Sequence, residues 1–83
     1  MIREHQRIVL TVPVPAEKLE VGDVGTVVHI YRDGQAFEVE FMTLDGETLA
    51  VVSFHEHQVR PVDQRELAQA RSMPWRRIPQ ARL

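Results

Sequence analysis

The chain has no cysteine among its 83 residues, which excludes a disulfide framework, a thiolate metal site and a cysteine nucleophile. A reducing cytoplasm suits such a composition. Long apolar runs are missing too: "MIREHQRIVL" mixes charges into its first seven residues, and it reads as neither a secretory signal nor a membrane span. Neither Ser53 nor Ser72 has a strand–Ser–helix elbow around it, so nucleophilic catalysis has no support. Eighty-three residues make one small domain, and a chain near this size buries only about 60% of the surface its unfolded form exposes.

What is present is unevenly spread. Up to Asp63, five basic residues face eleven acids; from Gln64 onward, five arginines face Glu66 alone. The formal charge of -2 therefore hides a body near -6 and a tail near +4. Such a body opposes nucleic-acid binding, because phosphate contacts need Lys or Arg gathered on one face.

The body alternates as strands do. "RIVLTV" puts Ile8, Leu10 and Val12 on one face, since neighbouring strand residues point to opposite sides. Pro13 and Pro15 end it. "AEKLE" reads as an ordered excursion pinned by Leu19. In "VGDVGTVVHIY", Gly22 and Gly25 precede a β-branched strand, and glycine there allows one backbone to approach another. A phosphate loop would need a following helix and a lysine instead. Asp33-Gly34 and Asp45-Gly46 signal two hairpins. Between them, "AFEVEFMTL" turns Phe37, Val39 and Phe41 one way and Glu38 and Glu40 the other. "LAVVSFHEH" and "QVRPV" complete five short strands, Pro61 suiting an edge. A sheet of this size buries its apolar face by curling into a small barrel over residues 1–62. "DQRELAQARSM" then predicts a short helix over 63–73, with Glu66 in its first turn and Arg71 in its last. Residues 74–83, "PWRRIPQARL", make a basic tail with two prolines and one tryptophan.

The segments "REHQRIVLT", "LEVGDVGTVVHIY", "AFEVEFMTLDGETLAVV" and "VRPV" resemble, in order and spacing, the bacterial family called "domain of unknown function 4926". The resemblance runs from Arg3 to Val62, with "RELAQAR" as a short closing helix. It implies an all-β, five-stranded SH3-like barrel without an established activity. Members are often encoded beside another small protein, a pattern that suggests toxin–antitoxin pairs. A looser similarity, through Gly22, Gly25, Val27 and Ile30, is to the KOW element of ribosomal and transcription-factor barrels. That element carries basic residues around its glycines, whereas Glu17, Glu20 and Asp23 stand here.

Three constellations could carry chemistry. His55 and His57 lie two apart on an expected strand, where two imidazoles could point at one metal ion, but closing a site would require His5 or His29 from elsewhere. Glu38 and Glu40 share the solvent face of their strand, whereas acid–base work by a carboxylate pair needs burial or a neighbouring charge. Neither metal, cofactor nor catalytic residue is expected. The third constellation is the tail. Leu67, Met73, Trp75, Arg76, Arg77 and Ile78 combine apolar anchors with arginine, the mixture enriched at interface hot spots. The reading is a non-catalytic protein-binding module, the antitoxin-like partner of a small protein, with self-association through an edge strand ("RIVLTV" or "LAVVSF") as a further contact. The alternative is a KOW-like nucleic-acid adaptor gripping a single strand with Trp75, Arg76 and Arg77.

Overall fold

Five strands follow the expected order in the computed structural model, which describes residues 2–73: β1 (Arg7–Leu10), β2 (Val24–Ile30), β3 (Ala36–Met42), β4 (Thr48–His55) and β5 (Val59–Pro61). All pair antiparallel, in the spatial order β4-β3-β2-β1-β5. The fold is all-β. No α-helix occurs among the described residues, although three single turns are 3-10. No ladder joins β4 to β5, so hydrogen bonds do not close the sheet.

The sheet is nevertheless sharply bent, and chain length proves it. With strands about 4.8 Å apart, the two edges of a flat five-stranded sheet stand about 19 Å apart. Here β4 ends at His55 and β5 begins at Val59, joined by the 3-10 turn Glu56–Gln58. Four residues reach at most about 14 Å even when extended. The edges must therefore swing toward one another. The turn is tied at both ends, Glu56 N–H donating to Gln35 O and Thr11 N–H to Gln58 O.

Bending gathers one core from every strand. Ile8 and Leu10 of β1, Val27 of β2, Phe37, Val39 and Phe41 of β3, Phe54 of β4 and Val59 of β5 form a single buried cluster, joined by Leu19. Cross-strand pairs Phe37–Phe54 and Val39–Val52 align the inner row, while Glu38 and Glu40 face outward as the alternation requires. A bulge between Val27 and His29 helps β2 turn. Leu19 is held by the excursion expected for "AEKLE", a 3-10 turn at Pro15–Glu17 clasped by a Val14–Leu19 bridge.

Three expectations are corrected. First, β1 stops at Leu10, short of Val12, and lies between β2 and β5; "RIVLTV" is therefore no edge. Second, β4 ends at His55, because the link to β5 has to turn at once. Third, the helix expected over 63–73 is absent: a turn at Gln64 and Arg65 gives way to irregular chain. Helix nucleation is unfavourable and short helices rely on packing an apolar face. Here Leu67, the residue meant to anchor that face, is 93% exposed. Residues 74–83 lie outside the described part.

Candidate protein-binding surface

The segment after β5 is held at two points. At the first, Arg60 of β5 meets Glu66 end-on, with Nη1–Oε1 3.0 Å and Nη2–Oε2 2.6 Å. Glu66 Oε1 also accepts the N–H of Asp63 at 2.7 Å, closing the turn. The bidentate pairing drops the Glu66 carboxyl to about 2, the Arg60 hydrogen bond contributing most, and holds the Arg60 guanidinium above its usual value. At the second, Arg71 reaches the turn before β2. Its Nε lies 2.9 Å from Asp23 Oδ1 and its Nη2 2.5 Å from Asp23 Oδ2. Nη2 also donates to Lys18 O at 3.2 Å, and Glu20 adds a longer ion pair at 3.6 Å.

These two clamps define a path. Val9, in the middle of β1, has Arg60 of β5 opposite it on one side and Val24 of β2 on the other. Arg60 holds Glu66, and Asp23, next to Val24, holds Arg71. The segment from Glu66 to Arg71 thus runs between anchors that stand on either side of Val9. Val9 is left out of the core cluster that takes Ile8 and Leu10, and yet it is only 5% exposed, as a segment lying over it would leave it. Covering a valine contributes about 2 kcal/mol. The segment is a strap across the outer face of the sheet. Leu67 stands on its solvent side, and Met73, just beyond the Arg71 clamp, is half-buried. Trp75, Arg76, Arg77 and Ile78 lie outside the described residues.

The other candidates are scattered. His55 and His57 do meet, their rings stacked 5.8 Å apart and 7° from parallel, but a 3-10 turn brings them together rather than a strand. His29 packs edge-on against Tyr31 at 4.6 Å, and His5 lies in the chain before β1. Among the described residues no group of three or more His, Cys, Asp or Glu is placed to hold a metal ion. Glu38 faces His29 and Ser53 across the ladders; Glu40 faces Thr26 and Val51, and its carboxylate accepts the Thr48 hydroxyl. Both carboxylates belong to outward-facing ladder pairs.

Sequence reasoning missed the clamp partners Arg60, Asp23 and Glu20. The signal was present in the opposite charges of body and tail, which Arg71 joins. Because Glu66 titrates near 2 when folded and near 4.5 when free, the clamp contributes fully above the free value and is lost as pH falls from there toward 2. Contact between the Val9 methyls and the strap, followed by NMR, is expected to hold down to about pH 4.5 and to fade below it. Contact unchanged near pH 2 would contradict the clamp.

A family model described as "Domain of unknown function (DUF4926)" matches residues 4–61. No curated protein and no solved structure matches the chain.

Proposed function

We propose that this chain, which belongs to the family described as domain of unknown function (DUF4926), is a non-catalytic protein-binding module. On this reading it is the antitoxin-like member of a small bacterial two-protein module in the cytoplasm, and its bent sheet is an SH3-like barrel closed by packing. The three-residue link between the two edge strands supports the barrel. The core is apolar, with no polar or charged side chain buried among the described residues.

The observation that carries the proposal is Leu67. A 93% exposed leucine at the end of a loose chain would mean little. This one sits between two anchored points, so part of the entropy of ordering it is already lost before a partner arrives. Beyond it the chain continues into Met73, Trp75, Arg76, Arg77 and Ile78, residue types suited to an interface centre. The nucleic-acid alternative is weakened by Arg71, whose guanidinium is engaged by Asp23 within the protein.

Affinity capture with the full chain, with residues 1–73 and with Leu67→Glu tests this. The full chain is expected to retain one protein partner after nuclease treatment. Leu67→Glu should weaken that capture about tenfold, the effect of losing a contact worth about 1.4 kcal/mol, and residues 1–73 should lose it. Equal capture by all three would overturn the proposal. Nuclease-sensitive binding that collapses with salt would establish the adaptor instead.

A further inference from the structure

The two edges of the sheet are treated differently. Edge strands invite pairing, and proteins blunt them with short length, charge, proline or a covering segment. β5 has nearly all of these: three residues, Arg60, Pro61, and the strap anchored on Arg60. β4 has none. It is eight residues long, contains no charged residue and no proline, and pairs only with β3 among the described residues. Its side chains are half-exposed or open for most of its length, Val51 at 50%. An unguarded strand of this kind leaves about half its N–H and C=O groups pointing outward without a ladder.

We propose that β4 pairs with β4 of a second copy, antiparallel and centred on Val52, joining two five-stranded sheets into one of ten strands. A second copy fits because β4 is its own complement. A two-fold axis through Val52 sets Val52 against Val52, Ala50 against Phe54 and Val51 against Ser53. Inner residues then meet inner ones and outer meet outer, as a continuous sheet requires. The large Phe54 falls opposite the small Ala50, and no like charges oppose each other between residues 50 and 54. The chain's own tail fits the edge poorly, since Pro74 and Pro79 remove ladder donors. This pairing is independent of the strap and stands whether or not Leu67 captures a partner.

The absence of native cysteine gives a register-specific test. Sedimentation equilibrium of the full chain should show the mass rising from one copy toward two between micromolar and submillimolar concentration. In Val52→Cys the two thiols face each other across the axis with Cα atoms about 4.5–5.5 Å apart, within disulfide range. It should cross-link rapidly under mild oxidation. Val51→Cys, offset from its copy by two residues, should not. The double variant Val51→Lys/Ser53→Lys places lysine against lysine on the outer face; it should remain folded by circular dichroism and stay monomeric. A single-copy mass at every concentration, equal cross-linking at 51 and 52, or a dimer that survives the lysine pair would each overturn the proposal.

Discussion

Gly25→Ala is expected to lower stability by about 3 kcal/mol, the upper range for overpacking a filled core. A Cβ at this position would lie 2.5 Å from Val39 Cγ1, 2.8 Å from Phe41 Cε1 and 3.0 Å from the backbone oxygen of Glu40. None of these neighbours can retreat: Val39 and Phe41 are core residues, and Glu40 is held in the ladders between β2 and β4. Gly25 is where β2, paired with Ile8 of β1, presses against β3 as the sheet bends. A chain of 83 residues has roughly 4 to 12 kcal/mol of stability in total. The substitution thus removes a large share of it. Urea unfolding should show a much lower midpoint with a similar slope. Gly22→Ala is the control. Nothing lies within 4 Å of its missing Cβ, but its φ of +99° disfavours a side chain, so a loss of about 1 kcal/mol is expected. If the two variants lost the same amount, the close approach at Gly25 would not be what the glycine is for.

Phe54→Ala carries the second large effect, a loss of about 3 to 5 kcal/mol. The residue sits on an edge strand, where a flat sheet would leave its ring half in water. Here it is 4% exposed, 6.0 Å from Phe41 in an edge-to-face pair and opposite Phe37 in the ladder. Its burial exists because the short link to Val59 draws the two edges together. Unfolding measured beside Val51→Ala separates the possibilities. Val51 points outward on the same strand, and its truncation should change stability by no more than about 0.5 kcal/mol. Similar losses from both would mean that the edge strand lies open on both faces.

The legible parts of the fold were those written in local pattern. Alternation in "AFEVEFM" fixed which side of β3 faces the core, and Phe37, Val39 and Phe41 are buried as expected. Asp33-Gly34 turns with φ of 69° and 67°, the left-handed pair that a tight hairpin asks of such residues. The segment after Val62 was misread because its pattern is also local but its structure is not. Leu67, Ala70 and Met73 have helical spacing, and Glu66 and Arg71 have the charge placement of helix ends. Both charges are taken by residues far away in the chain, Arg60 and Asp23, and those pairings leave the segment irregular. Of the proposed partner residues, the sequence identified Leu67, which is exposed. It could not reveal the low exposure of Val9, because burial of an outward-facing valine depends on which segment crosses it.

The strap over Val9 is the claim on which the binding surface rests, and nuclear Overhauser contacts from the Val9 methyls at neutral pH test it most directly. They should connect Val9 to protons of residues 67–70, with no helical i,i+3 contacts between 63 and 73. Val9 methyls that see only β1, β2 and β5, together with a continuous helical pattern after Asp63, would contradict it.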